Sequence, residues 1–136
     1  ARWPGKIEAG STSDHLTYFP DVLPTLSELA GVDIPPDIDG ISFAPSLIGG
    51  HQDEHKYMYW NNNNQQAVRM GKWKAITGRD IEGIELYDLE KDPQEMMNIA
   101  SSWPKIVEQM RAHMEDAYTE PRPQVEPKKP KGKQYQ

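Results

Sequence analysis

Three groups of side chains in this sequence have types and spacings that can do chemistry. His51-x-Asp53-x-His55 sets three metal-capable groups at alternate positions. On a strand they would share one face, and with Glu54 beside them they suggest Zn²⁺ or Ni²⁺. The segment follows Gly49-Gly50, however, so an exposed polar connector is the preferred reading and no metal site is assigned. Asp14-His15 is a histidine beside a carboxylate, the pairing used for general acid–base work, set against a solvated or capping pair before a helix. Trp60 is followed by Asn61-Asn62-Asn63-Asn64-Gln65, amides that both donate and accept hydrogen bonds next to an aromatic ring. That combination suits contact with a carbohydrate, set against an inert hairpin turn. The chain has no cysteine, which excludes a thiol nucleophile, a cysteine zinc site and a disulfide framework within it but does not identify a compartment.

The elements that must position these groups fall into two parts. From Asp21, the apolar residues Val22, Leu23, Leu26, Leu29 and Ala30 recur on one helical face. Pro24 lies in the first turn, where its missing N–H costs nothing, and Gly31 is placed to end the helix. Arg2 to Ile7 reads as a strand end entering a turn, and a short apolar run from Ile41 to Ile48 stops at Gly49-Gly50.

The middle of the chain is different. Lys56–Trp60, Gln66–Met70, Trp73–Thr77 and Glu85–Leu89 are short and rich in aromatic and β-branched residues, with Gly71-Lys72 and the Gly78–Gly83 stretch between the later ones. They predict four antiparallel strands joined by tight turns. Ile106, Val107, Met110, Met114, Ala117 and Tyr118 then mark an amphipathic helix, with Ser101 or Ser102 as its N-cap and Pro104 in its first turn. Trp73 is expected in the core against that helix, and Met96, Met97, Met110 and Met114 as core filling. The predicted class is α+β: a four-stranded antiparallel sheet covered by a C-terminal helix. The lone helix and strand end of residues 1–50 would expose apolar faces unless more protein covers them.

Charge is uneven. The 136 residues carry a formal net charge of −6, yet residues 120–136 hold Arg122, Lys128, Lys129, Lys131 and Lys133 against two glutamates. This Pro-rich tail is expected to be extended and solvated. The acidic remainder argues against nucleic acid as a partner, and a mean hydropathy of −0.82 leaves no stretch long and apolar enough for a membrane span. The chain starts at Ala1 without an initiator methionine, which suggests a processed or cut chain.

Several motifs in order carry a family resemblance. Arg2-Trp-Pro-Gly-Lys-Ile7, Asp21-x-x-Pro-Thr-Leu-x-x-Leu-Ala-Gly31, Asp39-Gly-Ile-Ser-Phe43, Gln66 to Ala75, and Leu86-Tyr-Asp-Leu-Glu-Lys-Asp-Pro-Gln-Glu95 with Asn98-Ile-Ala100 resemble the late part of a type I, formylglycine-dependent sulfatase of the arylsulfatase branch. The resemblance spans roughly residues 1–118. It implies that residues 1–50 are the last elements of a large, alkaline-phosphatase-like α/β domain, residues 51–119 a small C-terminal α+β subdomain, and residues 120–136 a tail. It also implies that the whole enzyme hydrolyses sulfate esters of glycans or aryl compounds in a periplasmic or secreted setting.

The family's formylglycine arises within Cys/Ser-x-Pro-x-Arg, and a Ca²⁺ orients the sulfate. Neither is expected in this chain. Ser102-Trp103-Pro104-Lys105 has Ile106 where the motif needs Arg, and a helix start explains it better. No catalytic residue is therefore assigned, and the chain alone is predicted inactive. His15, Trp60 and Asn61–Asn64 are the candidate substrate contacts. The expected partners are the rest of a sulfatase chain and its sulfated substrate, with self-association of the chain through its uncovered face. A binding or structural module without catalysis is the rival reading.

Overall fold

The computed structural model describes residues 1–120. After an irregular stretch, a 3₁₀ turn at Phe19–Asp21 leads into α1 (Val22–Ala30), which ends at Gly31 in the left-handed conformation, φ +69°. A shorter helix, α2 (Ala44–Ile48), ends the same way at Gly49. Four strands follow, β1 (Met58–Asn62), β2 (Gln65–Met70), β3 (Trp73–Gly78) and β4 (Ile81–Asp88), in one sheet of order β1-β2-β3-β4. Every pairing is antiparallel. A 3₁₀ turn at Ala100–Ser102 precedes α3 (Pro104–Ala117), which lies across one face of the sheet.

The predicted α+β architecture is present, with differences of local cause. Arg2–Ile7 is a turn closed by the Trp3 carbonyl, and not a strand end, because no strand lies alongside it among the described residues. β4 starts at Ile81, ahead of the expected Glu85. Gly78 pairs with Ile81 but Thr77 with Ile84, so Glu82 and Gly83 bulge out of the ladder. Gly83 at φ +79° allows that bulge, which in the sequence reads as a turn. Neither Ser101 nor Ser102 caps α3: Trp103 holds that position without a side-chain cap, and Pro104 opens the helix as expected.

The core is the helix-side face of the sheet. Val68, Ala75, Ile84 and Leu86 meet Met110 and Met114 of α3, with Trp73, Met70, Ile106 and Val107 packed around them. Each large apolar side chain removed from water there contributes about 1.5–3 kcal/mol. Trp73 also lies 5.1 Å from the Trp103 ring. Met96 and Met97 are not core: they are 76% and 67% exposed, on a turn where the Asp92 carboxylate accepts the Met97 N–H at 2.8 Å.

Polar contacts seal the free edge of β4. Asn98 Oδ1 accepts the N–H groups of Leu86 and Ala100, and Ile99 N–H donates to the Leu86 carbonyl at 2.9 Å. On the far side of the sheet Lys74 pairs with Glu95 at 2.6 Å; in the turn between β2 and β3 the Lys72 ammonium lies 3.1 Å from Asp88. Burial raises the Asp88 carboxyl, but Lys72 and the Glu90 N–H outweigh it and hold it below the usual carboxylate range.

Candidate functional site

The N-terminal elements are tied to the sheet unit by one buried carboxylate. Asp21 is fully buried at the start of α1. Its oxygens accept the N–H groups of Tyr18 and Ile41 at 3.0 Å each. His55 Nε2, on the connector into β1, lies 3.0 Å from both oxygens, and its side chain is 8% exposed. Thr25 extends the network, donating to the Asp21 carbonyl at 2.6 Å and accepting the Phe43 N–H at 2.9 Å. Gly40 belongs to the same knot: a Cβ there would collide with the Pro20 carbonyl, so Asp39-Gly-Ile needs glycine at its centre.

This corrects the reading of His51-x-Asp53-x-His55 as one exposed loop. His51 and Asp53 are almost fully exposed, whereas His55 turns inward to Asp21. Among the described residues no three His, Cys, Asp or Glu side chains are grouped to hold a metal ion. Ca²⁺ and formylglycine do not fit the residues present, since Ser102-Trp103-Pro104-Lys105 lies at the start of α3 and lacks the arginine.

Above the Asp21–His55 contact lies a cleft of about 370 Å³. Asp14 and His15 form one wall; Glu54, His55, Arg69 and Lys72 form much of the other. His15 Nε2 is buried and has no hydrogen-bond partner. Arg69 Nε donates to the Gly71 carbonyl at 3.0 Å, which anchors the guanidinium by one corner. The cleft thus offers the Arg69 guanidinium and the Lys72 ammonium to an anionic group, and the carboxylates of Asp14, Glu54 and Glu90 to accept hydroxyls. Arg69 was missed as a site residue because in the sequence it reads only as a strand position before a turn. Its side of the sheet follows from pairing register alone.

The hairpin candidates separate. Asn61 and Asn62 belong to β1, and only Asn63 and Asn64 form the turn, with φ +50° and +64°. Asn is among the few residues that tolerate two successive left-handed positions. Because strand side chains alternate, Trp60 and Asn61 face opposite sides. Trp60 lies on the open face, lining a hollow with Arg69 and Lys74, its ring edge-on to Tyr18 at 5.7 Å. Asn61, Asn63 and Asn64 line a different hollow beside α3. The sequence proximity of Trp60 to the amides therefore does not make a single platform.

The helix-backed four-stranded meander, preceded by α1 and α2, aligns with part of solved sulfatase structures. Residues 1–120 match the family described as N-sulphoglucosamine sulphohydrolase, C-terminal, and the chain belongs to that family. It is 34% identical to an ulvan-active sulfatase of Formosa agariphila over 75% of the chain and 28% of that protein. It is 36% identical to a Δ4,5-hexuronate-2-O-sulfatase of Bacteroides thetaiotaomicron over 85% of the chain and 27% of that protein. A structure solved in complex with its substrate D-glucosamine-2-N,6-O-disulfate aligns with TM-score 0.69 at 31% identity, covering 85% of this chain and 26% of that one. The chain thus spans about a quarter of the length of these relatives.

Proposed function

We propose that this chain is the C-terminal part of a longer sulfatase that hydrolyses sulfate esters of a glycan or an aryl compound. In this reading residues 1–50 complete the large α/β domain, residues 51–119 form the small subdomain, and residues 120–136, whose tail reading lies mostly outside the described residues, follow it. The chain stabilises the large domain and supplies one wall of the substrate cleft. The observation that carries the reading is the cleft between the N-terminal elements and the sheet, which His15 lines from one side and Arg69 from the other. His15 and Arg69 bind an anionic substituent of the substrate. Trp60 and Asn61–Asn64 contact substrate from the two sides of the hairpin.

In this reading the large domain would hold the formylglycine, which supplies the nucleophile, and the Ca²⁺, which orients the sulfate. The partner of the chain is that domain, and its setting is periplasmic or secreted. No helix among the described residues is long and apolar enough to cross a membrane. The rival reading, a carbohydrate-binding or structural module, is favoured by the self-contained core beneath α3.

Two measurements test the proposal. The isolated chain with Ca²⁺ and a chromogenic aryl sulfate is expected to show no turnover above a heat-killed control; turnover would overturn the division of labour. In the longer protein, His15→Ala and Arg69→Ala are expected to raise KM for a sulfated oligosaccharide about tenfold each, the scale of a lost charged hydrogen bond. An unchanged KM in both would remove them from the substrate wall.

A further inference from the structure

The amides of the first hairpin have a groove of their own. α3 packs over β2 and β4, while β1 is an edge strand. The helix-side residues Tyr57, Tyr59 and Asn61 are therefore left standing beside the last turn of α3. Two hollows meet there, of about 570 and 700 Å³, and Asn61 lines both.

In the first hollow, the Tyr57 hydroxyl donates to Asp116 at 2.8 Å. The buried Tyr59 hydroxyl lies beside Asn61; burial, then the neighbouring Tyr118, pushes its pKa up, and Asn61 offsets this only in part, so it stays a protonated donor. The second hollow is lined by Asn61, Asn63, Gln66, Glu115 and Tyr118, the last 45% exposed.

These are the parts a sugar ring requires. An aromatic face takes the apolar C–H side of a pyranose, while amides and carboxylates take its hydroxyls in either sense. The charge is also selective. Among the described residues, Asp39, Asp116 and Glu115 line the two hollows against Lys56 as the one lysine or arginine, so a sulfate there meets a net negative field from them. The His15–Arg69 cleft has two such cations, Arg69 and Lys72, among its described lining residues.

We propose that the groove between β1 and the end of α3 is a second carbohydrate-binding site, one that takes an uncharged stretch of a glycan, with Tyr118 as platform and Asn61 and Glu115 as hydroxyl partners. The inference rests on the reading of the longer protein as a glycan sulfatase. It adds a holding point away from the cleft, which strengthens attachment to a polymer by raising its local concentration.

The test is a titration of the ¹⁵N-labelled 136-residue chain with four neutral tetrasaccharides: chitotetraose, cellotetraose, xylotetraose and agarotetraose. At least one is expected to shift amide signals confined to residues 61–66 and 115–118. Tyr118→Ala and Asn61→Ala should each weaken that binding tenfold or more, while Tyr118→Phe retains it and all three keep the signal dispersion of the folded chain. A sulfated counterpart of the bound sugar should bind the groove more weakly. The proposal is overturned if none of the four shifts these residues, if the shifts gather at His15 and Arg69, or if the sulfated sugar binds the groove as well as the neutral one. The KM measurements on the His15 and Arg69 variants report on the cleft alone, so either reading can fail without the other.

Discussion

At the scale of single residues, Asp21 is the position on which most depends. Its carboxylate accepts three donors from three segments, Tyr18, Ile41 and His55. Asp21→Ala leaves two backbone N–H groups and an imidazole unpaired in a buried place, at about 1–3 kcal/mol for an orphaned donor. The expected outcome is an unfolding free energy lower by about 2–4 kcal/mol, with hydrogen-exchange protection lost first at residues 18–25 and 41. Retained protection there would show that the tie lies elsewhere. His113 invites a different prediction. It is stacked on Tyr57 at 4.3 Å with its Nε2 buried and unpaired. Burial, then the nearby Lys56, lowers its pKa from 6.5, and Asp116 opposes them only in part. The folded state therefore holds this proton less tightly than the unfolded chain. Its contribution to stability is full above pH 6.5 and is lost as pH falls through and below that value. His113→Phe keeps a ring against Tyr57 and removes the titration. The drop in melting temperature between pH 7 and pH 5 should be smaller in the variant than in the parent chain; equal drops would exclude His113 as the cause.

At the scale of elements, the meander is set by its connections. Each hairpin leaves two residues between paired strands: Asn63-Asn64, Gly71-Lys72 and Arg79-Asp80. Positive φ falls on both asparagines, on Gly71 and on Asp80, residue types that bear it at little cost. Asn64→Gly should leave the melting temperature equal or higher. Asn64→Val places a β-branched residue in the left-handed region, which costs about 1–2 kcal/mol. Equal melting temperatures for the two variants would mean that the turn relaxes out of this geometry. The strands, their order of appearance and the terminal helix were legible from period-2 runs, turn residues and one helical stripe. The bulge at Glu82-Gly83 was not, because a glycine in a bulge and a glycine in a turn leave the same trace. Met96 and Met97 were misread for a similar reason: apolar side chains mark a core only when their element faces one, and theirs is a turn held by Asp92.

At the scale of the whole molecule, the first fifty residues are unlike the rest. α1 buries Pro24, Thr25 and Ser27 against the chain and turns Leu23 and Leu26 outward, at 53% and 59% exposure, beside Phe19 at 88%. A mainly apolar hollow of about 240 Å³ remains between α1, Phe43, Leu47 and Trp3. Apolar surface of this kind seeks cover. In the absence of a large domain the chain is expected to self-associate, with light scattering giving a mass above that of one copy. Leu23→Gln with Leu26→Lys should return it to a monomer, and a monomeric parent chain would refute the expectation. The sequence by itself determined the α+β class, the four strands and the family, since these rest on local periodicity, turn chemistry and motif order. It also showed that the first third lacks a complete core. Only the tertiary structure decided which side chains meet. It drew His55 out of an apparent loop motif to Asp21, brought Arg69 to the cleft of His15, and sent Trp60 and Asn61 to opposite faces of one strand. Those outcomes depend on register and on contacts between residues distant in the chain, which no local pattern encodes.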